Sequence, residues 1–349
     1  MDRRQFLQNM SALAATLSVT PVPSAFGATD DKHPQRITTP ITEDKWGKLL
    51  PLRKLGNTGE FITALGLGGH HVGAPDEKTA HKICDNAIEQ GIRFIDTAHA
   101  YQGGRSETRI GKYLIPKYRD QLYIMSKTRA NTAAQVRQHL DASKKRLGID
   151  TLDCYHIHTI ENPNDVDYRV DHGVVDELFK ARDAGEIRHL GFSCHKRTSA
   201  PLRLLERLTQ LGVELDVCQL ALNVCDPHHD SFAYRVVPDV IKRGYGVFAM
   251  KTLANGQFFG RVDGWARRGR KTPGQVVPER MTLDQALHFV WSLPVATLIS
   301  GMDKPEQVIT NADICRTYAE MTDDDRDKLI DAVADISGTD MEFYKSLPD

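Results

Sequence analysis

No Cys-x-x-Cys pair occurs anywhere in this 349-residue chain, and its six cysteines, at 84, 154, 194, 218, 225 and 315, are scattered. That spacing supports neither a zinc knuckle nor an iron-sulfur site, and it reads as buried free thiols. Basic excess is missing as well. A formal net charge of -1 with 26% charged residues leaves nothing to neutralise a run of phosphates, which argues against a nucleic-acid partner. The first strand-like run is followed by no Gly-x-Gly-x-x-Gly, and no Gly-x-x-x-x-Gly-Lys-Ser/Thr loop is found. A doubly wound dinucleotide fold, the competing α/β architecture, is therefore disfavoured.

Long apolar runs are scarce too. The one near the start, from about Met10 to Val19, is too short to span a bilayer permanently. It follows Arg3, Arg4, Phe6 and Leu7 and precedes small residues at Ala25 and Gly27. This resembles a twin-arginine export signal over residues 1–27. The expected consequences are use of the twin-arginine export machinery, a periplasmic location, and a mature chain without stable membrane insertion. An uncleaved amphipathic extension is the alternative. Residues 28–48 are polar and aperiodic and read as a linker.

What is present, over 49–349, is alternation. Apolar runs at "ITALGLGG", "IRFIDTA", "LYIMSKT", "LDCYHIHT", "IRHLGFSC", "LDVCQLAL", "YGVFAMKT" and "VATLISG" each precede a helical stretch. Eight such units predict a closed (β/α)8 barrel, an α/β TIM barrel. Gly91, Gly148, Gly185, Gly212 and Gly244 stand where helices need left-handed C-terminal caps. "PLRKLGNTGEFITAL" predicts an N-terminal β-hairpin ahead of the first barrel strand, and "TDDDRDKLIDAVADIS" an extra C-terminal helix.

In such a barrel, chemistry gathers where strands run into the loops that follow them. Asp96 ends the second run, Tyr101 follows on its loop, Lys127 ends the third and His158 the fourth. An acid at Asp96 would serve equally as a loop cap, and each of the others has a structural use of its own. Together they suggest acid catalysis by a phenol. A free tyrosine, with a pKa of about 10, is a weak acid, and a lysine cation beside it would lower that value. Asp96 would hold the ammonium, and His158 would hydrogen-bond a substrate carbonyl.

At these residues the sequence resembles the aldo/keto reductase family, over about Leu52 to Ala319. "FIDTAHAY", "SKT" and "LDCYHIHT" are similar to the segments that hold the family's Asp, Tyr, Lys and His tetrad. "LRKLGNTGEFITALGLGG", "GGRSETRIG", "LGFSCH", "CQLALN" and "SGMDKPEQVITNAD" resemble further family segments in the same order. The resemblance implies hydride transfer between a nicotinamide nucleotide, NADP(H) or NAD(H), and a small carbonyl or alcohol, without metal. It places Ser193, Cys194 and Gln219 at the carboxamide, Met250, Lys251, Thr252 and Leu253 beside the pyrophosphate, and Gly301, Gln307 and Asn311 at the adenosine end. Met250 stands where many members have a tyrosine, and Cys194 where an asparagine is common. Gly301 and Gln307 replace a Lys and an Arg of many NADP-preferring members, so preference for the 2′-phosphate stays open. Lys304, or Arg267, Arg268 and Arg270 in the basic loop 265–271, would then compensate.

His70, His71 and His99 remain, expected to shape a polar pocket for a hydroxylated, sugar-like carbonyl compound. His156 and His158, with His70 and His71, also have a spacing open to a metal-hydrolase reading, although His156 should lie a full step deeper in its strand than His158. A second functional class is a nucleotide-binding regulatory or redox-sensing module with little turnover. Loss of turnover in Tyr101→Phe separates the enzyme from the module.

Overall fold

Each apolar run forms a strand: β1 (Leu65–Gly68), β2 (Phe94–Asp96), β3 (Tyr123–Thr128), β4 (Leu152–Ile157), β5 (Ile187–Cys194), β6 (Val217–Ala221), β7 (Gly246–Met250) and β8 (Thr297–Ser300). The computed structural model describes residues 36–260 and 273–345. The expectations placed on the leader and on Arg267, Arg268 and Arg270 lie outside the described residues. The strands are parallel in chain order, and β8 closes onto β1 with Leu298 opposite Leu65 and Ser300 opposite Leu67. This is the expected (β/α)8 barrel. The strands are buried on both faces because helices wrap the outside, which is why they read as near-continuous apolar runs.

The helices that matter for the mouth are α1 (Glu77–Glu89), α2 (Arg105–Tyr113), α3 (Ala133–Leu147) and α4 (Pro305–Arg316), with α5 (Asp323–Asp331) as the C-terminal addition. Gly148 and Gly212 are left-handed helix caps at φ 73° and 69°. Gly91, Gly185 and Gly244 turn the chain at φ 83°, 77° and 83°, each close to the start of the next strand. Thr132 and Thr322 cap the starts of α3 and α5 through their side chains. Among the described residues no helix is long and apolar enough to cross a membrane.

Inside the barrel, Phe94, Tyr123, Met125, Cys154, Val217 and Phe248 form a core separate from the layer between strands and helices. Phe94 and Phe248 meet with ring centroids 5.0 Å apart. The hairpin, strands Leu52–Lys54 and Phe61–Thr63, inserts Leu55 and Ile62 into that core and closes the N-terminal end. Gly56 is required at its tip, since a Cβ there would lie 2.3 Å from the Gly246 backbone nitrogen. The hairpin thus packs into the barrel interior from its N-terminal end.

The segment read as a linker is more ordered than expected. Glu43–Asp44 pairs antiparallel with Gly47–Lys48. Asp44 takes Nε and Nη2 of Arg93 at 2.7 and 2.9 Å, with both side chains nearly inaccessible. The reason lies far along the chain: Arg93 is buried just before β2 and needs a counter-ion. Asp44→Ala is expected to destabilise the fold by about 2–3 kcal/mol, the scale of a lost charged hydrogen bond partly made up by carbonyl partners. Urea unfolding with an unchanged m-value would measure it.

Candidate active site

The tetrad assembles at the mouth because β2 and β3 lie side by side, Asp96 opposite Met125 in the register. Lys127 on β3 ion-pairs with Asp96, donates to the Thr97 carbonyl at 2.8 Å and reaches the Tyr101 hydroxyl at 3.3 Å. These three contacts match the three hydrogens of an ammonium. Lys127 is 1% exposed and Asp96 3%. Burial works against the ammonium, but the attraction of Asp96 and of the Tyr101 oxygen outweighs it, and the Lys127 pKa stands above that of free lysine.

Tyr101 departs from expectation in one respect. Burial pushes its phenol up more than Lys127 pulls it down, so the net shift is upward. The lysine acts in the expected direction, but desolvation of a phenolate in this setting is larger. Tyr101 therefore holds its proton firmly at neutral pH. Its loop is set by three successive left-handed residues, Gln102, Gly103 and Gly104, at φ 46°, 65° and 92°. Behind it, Glu107 on α2 accepts from Ser126 Oγ at 2.6 Å and from Arg146 at 3.0 Å, which ties α2 to the strand carrying Lys127.

His158 stands edge-on to Tyr101, ring centroids 5.6 Å apart. Its Nδ1 is buried without a hydrogen-bond partner among the described residues. Burial first, then Lys127 and Arg129, push its pKa well below the usual range, so the ring is neutral. His70 meets Tyr101 edge-on from the other side at 5.2 Å and contacts the Gln102 side chain at 3.1 Å. His71 lies against Gly301, where a Cβ would come within 2.2 Å of its ring. Those two histidines do reach the mouth. His99 stacks on His139 of α3, ring centroids 3.9 Å apart. His156 sits inside the barrel against Phe248, 5.8 Å away, deeper than His158 as strand alternation requires. Among the described residues no group of three or more His, Cys, Asp or Glu side chains is placed to hold a metal ion.

The nucleotide-side residues divide in the same way. Ser193 and Gln219 are register partners on β5 and β6. Ser193 Oγ accepts from the Thr159 amide at 2.8 Å, which leaves its own hydrogen to donate. Gln219 Oε1 is buried with no partner among the described residues. An orphaned amide oxygen beside a free hydroxyl donor suits a carboxamide, so these residues fit a nicotinamide. Cys194 is turned to the backbone, donating to the carbonyls of Ile160 at 3.2 Å and Arg197 at 3.5 Å, and burial raises its thiol to about 12.

Met250 ends β7, followed by Lys251 in the left-handed region at φ 58°. Thr252 is buried and Leu253 partly so. Gln307 caps α4, its side-chain oxygen accepting from the amides of Asp303 and Lys304 at 2.8 and 3.1 Å. Asn311 is buried and donates to Ser300 Oγ at 2.9 Å. Neither Gly301 nor Gln307 carries a cation, whereas Lys304 is exposed beside them.

Two wall residues escaped the sequence reading. His195 follows Cys194 directly, and the strand-end rule that singled out His158 would have found it; its Nδ1 is buried without a hydrogen-bond partner among the described residues. Tyr344 stands edge-on to it at 5.9 Å and belongs to the last described segment, which no local signal connects to the mouth.

A model of the aldo/keto reductase family matches residues 64–333. The chain is 34% identical to the aldo-keto reductase YhdN of Bacillus subtilis over 40% of its own length and 45% of that protein's. It is 30% identical to the L-galactose dehydrogenase of Arabidopsis thaliana over 59% of its length and 66% of the plant protein's. The chain therefore spans less than two thirds of each of these curated relatives. In three dimensions it resembles the aldo-keto reductase AKR11C1 of Bacillus halodurans (holo form) with a TM-score of 0.67 at 19% identity, over 84% and 99% of the two chains, a likeness of fold. With the family model covering most of the barrel, the chain belongs to the aldo/keto reductase family, whose members are oxidoreductases that use NAD(P)H.

Proposed function

We propose that this protein transfers hydride between a nicotinamide nucleotide and a carbonyl or alcohol substrate, with Tyr101 as general acid and base. The observation that carries the reading is the Lys127 ammonium, 3.3 Å from the Tyr101 hydroxyl and ion-paired with buried Asp96 at the barrel mouth. Ser193 and Gln219 would hold the carboxamide, and Met250 to Leu253 would border the rest of the nucleotide. When bound, that nucleotide supplies the hydride donor or acceptor.

The chain's own residues handle the proton. Hydride addition leaves an alkoxide on the substrate, and the Tyr101 hydroxyl donates its proton there. The negative charge left on the phenol oxygen then lies against the Lys127 ammonium, already compensated by Asp96, so little reorganisation is needed. A neutral His158 donates a hydrogen bond to the substrate oxygen and fixes its direction. Alcohol oxidation runs the same contacts backwards and requires Tyr101 without its proton.

Because burial raises the Tyr101 pKa, alcohol oxidation should keep quickening with pH through and beyond about pH 10, the ordinary tyrosine value, whereas reduction stays flat through neutrality. A pH profile of both directions checks this. Oxidation reaching its plateau well below that value would contradict it. Turnover of nicotinamide nucleotide is tested against a panel of carbonyls that includes sugars, since His70 and His71 give the mouth a polar rim and a relative is named for L-galactose. Tight nucleotide binding with no turnover on any of them would favour the regulatory module. Residues 1–27 are proposed as a twin-arginine-type signal that delivers the folded protein to the periplasm with its nucleotide loaded. N-terminal sequencing of exported protein, with mass spectrometry of what it carries, tests that placement; an unprocessed N-terminus or an empty site would contradict it.

A further inference from the structure

The ring of His99, on the loop that carries Tyr101, and the ring of His139, on α3, lie 3.9 Å apart and 19° from parallel. Neither belongs to the tetrad, yet both are fastened to it. The His99 amide donates to the Lys127 carbonyl at 3.0 Å, and the Tyr101 amide donates to the carbonyl of Ala98, the residue before His99, at 3.0 Å. On the other side of the stack, His139 Nδ1 meets Oγ1 of Thr128, the residue after Lys127, at 2.8 Å. The two rings thus join the Tyr101 loop, the end of β3 and α3 at one point.

Arg146, two turns further along α3, braces the same loop. It donates to the His99 carbonyl at 3.3 Å and to Glu107 at 3.0 Å. A Cβ on Gly104 would come 2.4 Å from its guanidinium carbon, so the guanidinium lies directly against the loop. The charged groups around the stack are therefore Arg146 from α3, Glu107 from α2 and Lys127 from β3. Glu107 is shared between Arg146 and Ser126, and Lys127 is paired with Asp96. Arg129, just beyond Thr128, adds a cation felt by Tyr101 and His158. A proton placed on either stacked ring meets this excess of cations, and the nearby carboxylates are already engaged.

We infer that the His99–His139 stack is a positioning device for Tyr101 and Lys127, closed while both rings are neutral and released when one of them takes a proton. This deepens the proposed function, since it rests on Tyr101 being the acid of that reaction. Protonation also inverts the bond to Thr128: a neutral imidazole nitrogen can accept the hydroxyl hydrogen, whereas a protonated ring can only donate. Both rings are partly accessible, so a released ring can reach water. Burial, then His139 and Arg146, bring the His99 pKa down to about 4, and burial and Arg146 lower that of His139 against the pull of Glu107. The closed stack binds protons less readily than the open one. Its advantage is therefore fully present above the ordinary histidine value of 6.5 and shrinks about tenfold per pH unit from there down to about 4. For His99 alone, that makes opening about thirtyfold more favourable at pH 5 than at neutrality.

The test compares the full wild-type chain with the double variant His99→Phe, His139→Phe, which keeps two stacked rings and takes up no proton. Hydrogen exchange of the His99 and Tyr101 amides, corrected for the intrinsic rate at each pH, reads the opening directly. In the wild type it should quicken about thirtyfold or more between pH 7.5 and 5, and in the double variant it should change by less than about threefold. The wild-type kcat for carbonyl reduction should fall on the acid side over the same interval, and that fall should be absent from the double variant. His139→Phe alone is the second variant, with an intermediate response in both readouts. Wild-type amides equally protected at both pH values, quickening that persists in the double variant, or an acid fall in kcat that the substitutions leave in place would each overturn the inference. The exchange measurement needs no turnover, so its failure is distinct from failure of the proposed reaction.

Discussion

Tyr101→Phe is expected to lower kcat by about 10²–10⁴-fold, the range that general acid catalysis contributes, while nucleotide affinity stays within about twofold. The substitution removes one oxygen and leaves the ring. The edge-on contacts to His70 at 5.2 Å and His158 at 5.6 Å are contacts of the ring and survive. What is lost is the group 3.3 Å from Lys127 Nζ. A fall in kcat with an unmoved nucleotide Kd therefore reports the proton, and steady-state kinetics beside a fluorescence titration of nucleotide separates the two. A variant retaining a third of wild-type kcat would remove Tyr101 from the acid role and shift attention to His158.

Asp96→Asn should be costly in a different way. Lys127 is 1% exposed and Asp96 is its only carboxylate partner among the described residues. Removing one member of a buried pair typically costs about 3–5 kcal/mol, because the other is left charged and desolvated. The pH dependence carries the sign. In the wild type the Lys127 pKa is raised on folding, so its contribution is fully present below the unfolded value of about 10.4 and lost only as pH rises through the higher folded value. In Asp96→Asn, burial acts unopposed by that carboxylate and the folded pKa should fall below the unfolded one. The unfolded chain then binds more protons, and stability should rise with pH across the interval where the wild type is flat. Urea unfolding at a series of pH values gives both slopes, and parallel curves would show that Asp96 is not the counter-ion that keeps Lys127 charged.

Much of this architecture is legible in the sequence because its signals are local. A parallel strand covered on both faces must be an apolar run, and a helix returning to the next strand needs a left-handed residue, so "LDASKKRLG" announces α3 and its end at Gly148 together. The tetrad is legible for a related reason: a strand ending in Asp96, Lys127 or His158 places a polar group where an apolar one would pack, and strand ends converge in a barrel.

What stays hidden in the sequence are contacts made at long range. His99 lies between Asp96 and Tyr101 in sequence, and its ring stacks on His139, a residue forty positions later. Asp44 looks like any acid in a polar stretch until Arg93 is found buried beneath it. The net direction of the Tyr101 pKa also resists a sequence reading. Lys127 and burial pull opposite ways, and only the packed structure gives their relative size.

The hairpin that carries Leu55 and Ile62 into the interior core bears on traffic as much as on stability. With the base stoppered and the bore packed by Phe94, Tyr123 and Phe248, the molecule is a cup rather than a channel. In the proposed reaction both reactants would reach Tyr101 across the C-terminal rim. Their exchange is therefore a matter of queueing, and product-inhibition patterns should show a compulsory sequence instead of independent passage.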